Sequence, residues 1–180
     1  NGPLDAADFD IMEFRVVPPI PGGVNTLPVS LSTISTWDTL QANRIRNRTL
    51  TGQGMIGMGS FYIDGNQYIM GLYNDTMRLG DIELWNVTNY TNIAHPMHIH
   101  DVSFRILSRN GQPVPAYEEG YKDVFDILPQ ETVSLIMRFQ DYANPNVPYM
   151  YHCHNLAHED MGMMSSFIVI DTISSSVADD

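Results

Sequence analysis

The chain has 180 residues, of which 43% are hydrophobic and 17% charged, a composition typical of a globular domain rather than of a disordered chain. Its net charge of −12 argues against nucleic acid as a partner, because the phosphates would be repelled, and no apolar run is long enough to cross a bilayer. The single cysteine excludes an internal disulfide.

The first 44 residues do not make up a domain. Residues 10–17, DIMEFRVV, alternate in the way that predicts a strand, and the proline- and glycine-rich PPIPGGVNTLP that follows predicts a connector. One strand and a connector cannot bury a core. We therefore interpret residues 1–18 as the last strand of a preceding domain and residues 19–44 as a linker, with a short helix predicted over 36–46.

The chain after the linker is predicted to be all-β. Short runs rich in branched and aromatic residues recur between turn signals, over residues 60–70, 81–87, 103–108, 132–139 and 165–171. Asp64-Gly65 predicts a hairpin inside the first run, and Asn110-Gly111 predicts a tight turn after the third. The pattern indicates a β-sandwich or barrel over residues 45–172 and a flexible tail over 173–180.

All six histidines fall in two short motifs, and the cysteine lies in one of them. HPMHIH contains His95, His98 and His100, whereas HCHNLAH contains His152, Cys153, His154 and His158. An isolated histidine is more often a surface or core polar group than a ligand. Six clustered at short spacing reverse that expectation and indicate a metal site, because imidazole and thiolate bind zinc, copper and iron.

The alternation of side chains along a strand divides these residues between two faces. Histidines two residues apart share a face, as in the pairs His98 with His100 and His152 with His154. Cys153 therefore points away from its two histidine neighbours. Pro96 predicts a local change of direction that would bring His95 to the side of the cysteine.

The residues on the cysteine's side match a copper site better than a zinc site. Cys153, His158 and Met163, together with His95, provide one thiolate, two imidazoles and one thioether, the ligand set of a blue copper centre with a weak axial methionine. Zinc is the alternative, although structural zinc sites usually contain more than one thiolate. Met164 competes with Met163 for the axial position, and we expect Met164 to pack inside instead.

The two motifs together resemble the copper-binding signature of the multicopper oxidases, which include laccases, bilirubin oxidases and bacterial cuprous oxidases. The resemblance covers more than half of the chain, from FYIDGNQYIM to SSFIVI. It implies that residues 45–172 are a C-terminal cupredoxin domain, a Greek-key β-sandwich or barrel. It also implies copper as the cofactor, dioxygen as the electron acceptor, and a secreted or periplasmic location.

The resemblance assigns each ligand to a copper type. It implies that the type 1 copper is held by His95, Cys153, His158 and Met163. It implies that His98 binds the type 2 copper, and that the type 3 pair is bound by His100, His152 and His154. In the family this three-copper cluster needs eight histidines, four of them from two HxH pairs in the first domain. We therefore expect the missing histidines to come from the N-terminal fragment of the same precursor.

The resemblance also implies a reaction. A small reductant gives electrons one at a time at the solvent-side edge of His158, and the electrons pass through Cys153 to the type 3 ligands, where dioxygen is reduced to water. Glu159 is either the acidic residue that relays protons or a surface carboxylate. An axial methionine implies a modest potential, suited to phenols, aromatic amines or bilirubin-like pigments. The alternatives are a cuprous oxidase, a blue-copper electron carrier and a metal-free structural protein.

Overall fold

The computed structural model describes residues 12–18, 20–23, 26, 28–29, 32–55 and 58–171. The chain divides into two compact units, residues 1–33 and residues 34–180. In the first unit, the described residues form neither helix nor strand, and a hydrogen bond from the Gly23 N–H to the Ile20 carbonyl, with an N–O distance of 3.1 Å, closes a turn.

The strand predicted over residues 10–17 is not formed across its described part, residues 12–17. A lone strand has no neighbouring edge with which to exchange hydrogen bonds, so the sequence pattern alone does not hold it extended in a sheet. The assignment of residues 1–18 to a preceding domain stays a prediction. The predicted tail over 173–180 lies outside the described residues.

Strands make up nearly all of the regular secondary structure described in the second unit. They are β1 (Arg44–Met55), β2 (Met58–Ile63), β3 (Asp75–Arg78), β4 (Ile82–Asn89), β5 (His95–Ile99), β6 (Phe104–Arg109), β7 (Gln112–Pro113), β8 (Val124–Ile127), β9 (Thr132–Arg138), β10 (Asn144–Cys153) and β11 (Met164–Ile170). One short α-helix, α1 (Leu156–Asp160), connects β10 to β11. No helix in the described part of the chain is long and apolar enough to span a membrane.

The strands form two sheets. One has the order β2-β1-β4-β9-β6-β7 and the other has the order β3-β11-β10-β5-β8. The pairs β1/β4 and β3/β11 are parallel, and the other pairs are antiparallel. This arrangement confirms the all-β sandwich that the sequence predicts.

Aromatic side chains join the two sheets across a common core. The rings of Trp85 in β4 and Tyr151 in β10 meet edge to face with centroids 5.2 Å apart. Phe104 and Phe125 do the same at 5.4 Å. Inward-facing residues of β9 are fully buried, as the alternation in TVSLIMRF predicts. Each sheet thus covers the apolar face of the other, and β10 is fixed against this core.

A buried arginine near β10 is paired with two half-buried carboxylates. The guanidinium of Arg48 donates to the carboxylates of Asp64 and Asp75, with N–O distances of 2.7 and 2.6 Å. The Tyr151 hydroxyl donates to the same Asp75 carboxylate at 3.0 Å. Buried charges are tolerated when they are paired and hydrogen-bonded. The network therefore fixes β10 two residues before Cys153.

Two predicted elements differ from the structure. Residues 36–46, all described, contain only a 3₁₀ turn over Thr39–Gln41 instead of a helix, because β1 begins at Arg44 and pairs with β4. The hairpin predicted over 60–70 is also wrong. Asp64 and Gly65 do turn the chain, but only one bridge follows, and the Gln67 side chain instead donates to the Met161 carbonyl at 3.0 Å.

Candidate metal centre

The pairing of β5 with β10 sets the two faces on which the histidines lie. His98 is opposite His152, and Cys153 is opposite Met97, in an antiparallel register. Directly opposed residues project to the same face. The register of β5 with β8 runs without a shift through Pro96, so His95 faces the interior by ordinary alternation. The change of direction predicted at Pro96 is therefore wrong, although the predicted side of His95 is right.

Three buried side chains meet on the inner face. The Cys153 Sγ atom lies 3.5 Å from His95 Nδ1 and 3.6 Å from His158 Nδ1, and the two Nδ1 atoms are 3.1 Å apart. These separations are shorter than the sum of a metal–sulfur bond of about 2.3 Å and a metal–nitrogen bond of about 2.0 Å. One ion can therefore contact all three atoms. In the described part of the chain, no other set of three or more His, Cys, Asp and Glu residues is placed to hold an ion in this way.

Burial keeps these three ligands uncharged when no cation is present. Desolvation raises the pKa of the Cys153 thiol to about 11. Desolvation, assisted by the neighbouring His158, lowers the pKa of His95 to about 4, and desolvation also lowers the pKa of His158. Two neutral imidazoles beside a thiol suit a metal ion, because ion binding stabilises the thiolate and releases its proton.

Helix α1 places His158 beside the cysteine. The Asn155 side chain caps the helix by accepting a hydrogen bond from the Ala157 N–H at 3.1 Å. One helical turn then reverses the chain after β10 and directs His158 inward. The sequence analysis missed this helix because five residues are too few for a helical hydrophobic pattern; the asparagine cap was the available signal.

Strand register separates the two candidate axial methionines. Met164 is paired with His152, so its side chain projects to the face of that histidine. Met163 is fully buried, and its backbone bonds to both Cys153 and His158, with N–O distances of 3.0 Å in each case. This placement favours Met163 over Met164 as the neighbour of the inner-face group.

Four imidazoles cluster on the opposite face of β5 and β10. Their ring centroids lie between 4.9 and 5.8 Å apart in the contacts that join His98, His100, His152 and His154. No three of their ligand atoms close on one ion among the described residues, and His154 is exposed. The cluster is thus an open set of nitrogen donors.

Backbone carbonyls fix the ring protons of two of these histidines. His98 Nδ1 lies 2.7 Å from the Asp123 carbonyl, and His152 Nδ1 lies 3.1 Å from the Cys153 carbonyl. A carbonyl only accepts, so each Nδ1 carries the proton and each Nε2 keeps its lone pair. The Nε2 atoms of His152 and His100 face each other at 3.3 Å, within hydrogen-bond distance.

Glu159 lies beside the four-histidine cluster. Its Oε2 atom is 3.6 Å from His152 Nδ1, and a quarter of its side chain (25%) is exposed to solvent. The carboxylate thus reaches both water and a histidine of the cluster. The position is compatible with a proton carrier, and the role of Glu159 stays a prediction.

His158 does not have the open edge that the sequence analysis expected, since only 4% of the residue is exposed. The Phe61 ring covers it, with centroids 4.3 Å apart. A cavity of about 450 Å³ lies beyond this ring and is lined by Gly52, Gln53, Phe61, Tyr90, Thr91, Asn92 and Ile93. One layer of side chains therefore separates the cavity from the inner-face ligands.

The structure adds a polar contact that the sequence analysis missed. The buried Thr91 hydroxyl lies 2.8 Å from His95 Nε2, the ring nitrogen turned away from Cys153. Thr91 in turn contacts the Asn89 side chain, which is fully buried. Nothing in the sequence distinguishes this threonine from the others, because the contact depends on a loop conformation.

Known proteins are similar to this chain in both sequence and fold. A family profile described as multicopper oxidase matches residues 38–172. A laccase of Bacillus stratosphericus is 32% identical to this chain, over 91% of this chain and 35% of the laccase. A bilirubin oxidase of Albifimbria verrucaria is 43% identical, over 49% of this chain and 16% of the oxidase. A laccase-like multicopper oxidase from Ochrobactrum sp. superposes with a TM-score of 0.73 at 30% identity, over 84% of this chain and 36% of that structure.

The sandwich, with a Cys–His group on one face of a strand and paired histidines on the other, defines a cupredoxin-like copper protein. The chain belongs to the multicopper oxidase family. Both the predicted fold and the predicted family are thereby confirmed. The chain spans about a third of the length of the laccases it matches.

Proposed function

We propose that this chain is the part of a laccase-like multicopper oxidase that carries the whole type 1 copper site and half of the three-copper cluster. The observation that carries the proposal is the two-faced segment 152–154. Cys153 lies beside two buried imidazoles on one face, while its neighbours His152 and His154 lie beside two further imidazoles on the other face. The division of the side chains between two faces supports the division of ligand roles that the family motif implies.

The donor sets fit copper. His95, Cys153 and His158 would hold the type 1 ion, with the thioether of Met163 as a fourth ligand, and the outer-face histidines would hold part of the cluster. Copper bound there supplies one-electron oxidation of a reductant and the four-electron reduction of dioxygen to two waters. Cys153, on the inner face, is joined by single peptide bonds to His152 and His154, on the outer face, so the backbone of segment 152–154 covalently connects the two sites.

Glu159 would deliver protons to the cluster side. Forming two waters from dioxygen consumes four protons as well as four electrons, so a path from solvent is required. The carboxylate contacts water on one side and approaches His152 on the other, which is the arrangement expected of a general acid.

The cavity beside Phe61 would bind the reducing substrate. Its lining combines aromatic rings, small residues and amide groups and carries no charged side chain. Phe61 packs on His158 and also contacts the His95 ring at 5.8 Å, so a ring bound in the cavity would lie one side chain from two ligands. These features support a neutral or cationic aromatic reductant such as a phenol or an aromatic amine.

A cuprous oxidase is the second candidate. A structure described as a metallo-oxidase from Campylobacter jejuni superposes with a TM-score of 0.68 at 28% identity, over 81% of this chain and 33% of that structure. The hypothesis of a one-copper electron carrier accounts for the inner-face residues only and assigns no role to the four outer-face histidines. A metal-free structural protein gives neither group a role.

The partner in this proposal is a polypeptide with two HxH pairs, the N-terminal fragment of the same precursor. It would complete the open cluster, whose exposed His154 leaves room for further ligands. The reductant and dioxygen are the small-molecule partners. A secreted or periplasmic location follows from the family rather than from any feature of this chain.

Oxygen consumption by the copper-loaded assembly of this chain with its proposed N-terminal partner tests the proposal. We expect uptake with a phenol as reductant, water rather than peroxide as the product, and slower uptake with Cu(I). Faster turnover with Cu(I) would favour the cuprous oxidase. A protein that binds copper but consumes no oxygen with either reductant would overturn the proposal in favour of the carrier.

A further inference from the structure

A buried hydrogen-bond chain leads from His95 to the loop that precedes it. Thr91 Oγ1 lies 2.8 Å from His95 Nε2, 2.8 Å from Asn89 Oδ1 and 3.0 Å from the Ile93 carbonyl oxygen. Asn89 is fully buried and Thr91 is 4% exposed, so water does not compete for these groups. The chain is therefore a fixed part of the interior.

The orientation of the Asn89 amide is determined by its neighbours. Its nitrogen faces the carbonyl oxygens of Ile93 and Leu128 at 2.8 and 3.0 Å, and both can only accept. The other end of the amide must then be the oxygen. That oxygen also accepts from the Thr91 backbone N–H at 2.9 Å.

This orientation fixes the proton of the Thr91 hydroxyl. The hydroxyl has one proton, and two of its neighbours, Asn89 Oδ1 and the Ile93 carbonyl, are oxygens that can only accept. If the hydroxyl donated its proton to His95 instead, its oxygen would face both Asn89 Oδ1 and the Ile93 carbonyl oxygen without a hydrogen bond to either. The hydroxyl therefore donates to an oxygen and accepts from His95 Nε2–H.

A second loop holds the chain in place. The Gln130 side chain donates to the Thr91 carbonyl at 3.0 Å, and the Asn89 backbone N–H donates to the Glu131 carbonyl at 2.9 Å. Thr91 thus cannot shift without breaking contacts on both sides. A geometry fixed in this way is typical of residues that orient a metal ligand rather than of a chance contact.

We propose that Thr91, anchored by Asn89, is a positioning residue that keeps His95 in the Nε2–H form, with the Nδ1 lone pair directed at the ion held by Cys153 and His158. The inference rests on the proposed function for the identity of that ion. When the ring N–H that does not face the metal donates a hydrogen bond, the ligating nitrogen of the imidazole becomes more basic. Thr91 would therefore also stabilise Cu(II) relative to Cu(I).

The ring proton can be measured directly in the metal-free wild-type protein. Nitrogen NMR with labelled histidine, assigned through His95→Gln, is expected to show one tautomer for His95, protonated at Nε2. A ring protonated at Nδ1 would overturn the proposal. This measurement requires neither copper nor a variant at Thr91, so it stands even if such a variant fails to fold.

Thr91→Val removes the hydroxyl at nearly constant volume, whereas Thr91→Ser retains it. We expect Thr91→Val to lose roughly 10–100-fold in Cu(II) affinity and to have a higher reduction potential, by about 59 mV for each tenfold loss of Cu(II) affinity relative to Cu(I). Thr91→Ser is expected to restore both quantities. Thr88→Val is the matched control, because the Thr88 hydroxyl contacts Thr132 at 2.9 Å and not a histidine.

The outcomes separate this inference from the proposed function. If the wild-type protein binds copper without a blue thiolate absorption, the proposed function fails, while the tautomer measurement still decides the role of Thr91. If the wild-type centre is blue and Thr91→Val keeps its affinity and potential, the positioning role is overturned and the proposed function stands. Equal losses in Thr91→Val and Thr91→Ser would also overturn it, because they would indicate general packing damage.

Discussion

Met163 and Met164 are adjacent in sequence but lie on different faces of the domain. The register of β11 with β10 places Met164 opposite His152, which leaves Met163 on the cysteine side, fully buried. Two residues of the same type therefore have different expected effects on the same metal site, and each serves as the control for the other.

Replacing Met163 with leucine is expected to raise the type 1 potential. The thioether is a weak donor that stabilises the oxidised ion, and its removal is predicted to raise the potential by about 59 mV or more, a tenfold shift toward the reduced ion. The swap nearly conserves volume, so stability should fall by less than about 1.5 kcal/mol. Redox titration at the blue absorption band measures the effect. Met164→Leu should leave the potential unchanged; a rise there would reverse the assignment of the axial ligand.

Glu159 and Asp160 give a second matched pair on α1. Glu159→Gln keeps the shape of the side chain but cannot carry a proton, so oxygen turnover is expected to fall on the order of 10²-fold. The type 1 absorption should not change, because Glu159 contacts the opposite face. Steady-state oxygen uptake measures the effect. Asp160→Asn alters an exposed carboxylate next to it and should have no effect. Equal rates of oxygen uptake for the wild type and Glu159→Gln would contradict the role of Glu159 as a proton relay.

At the scale of residues, the alternation of side chains along a strand was enough to predict that Cys153 faces the opposite side of β10 from His152 and His154. It also accounts for His95, for which the sequence analysis invoked Pro96 unnecessarily. The Thr91–His95 contact could not be predicted, because it depends on how a loop between strands folds back. The burial of His158 under Phe61 likewise depends on a contact between residues almost a hundred positions apart.

At the scale of elements, the turn between α1 and β11 determines where Met163 lies. Gly162 has a φ of +97°, and a Cβ atom there would come within 3.1 Å of the Gln67 side chain. Gly111, in the β6–β7 turn, has a φ of +74° and open space around it. Both positions strain an L-residue, but only Gly162 also meets a neighbour beside the metal site.

Gly162→Ala is therefore expected to cost more than Gly111→Ala. Backbone strain alone costs about 1–2 kcal/mol at either position. At Gly162 the contact with Gln67 adds to this cost and displaces Met163, which should change the blue absorption. Thermal unfolding and visible spectra of both variants test the difference. Equal losses of stability with unchanged spectra would show that the loop after α1 does not control the site.

The elements that the sequence predicted well are strands in which apolar and polar residues alternate clearly. Strands β4 and β9 alternate over seven or eight residues, and both form as expected. Helix α1 has five residues, which is too short for a periodic signal. A strand was predicted to continue through residues 66–70, but Gln67 and Tyr68 bond to the loop after α1, a tertiary contact that no local pattern reveals.

At the scale of the whole molecule, the two metal faces differ in completeness. The inner face closes around one ion with residues from this chain, whereas the outer face presents four imidazoles that do not converge among the described residues. The length of the laccase relatives, about three times that of this chain, is consistent with further ligands from another segment. The family resemblance, set beside the six histidines of this chain, led to the proposal of further ligands, and the sequence does not describe the surface that would supply them.

Substitutions at two adjacent positions should therefore remove different coppers from the assembled protein. Cys153→Ser is expected to abolish the blue absorption and the type 1 copper while the near-ultraviolet absorption of the cluster persists. His154→Gln should do the reverse, because its ring joins the outer histidines at 5.6 Å from His152. Copper analysis and absorption spectra of the two purified variants measure this. Loss of both absorptions in both variants, with normal thermal unfolding, would mean that the two faces do not bind separate centres.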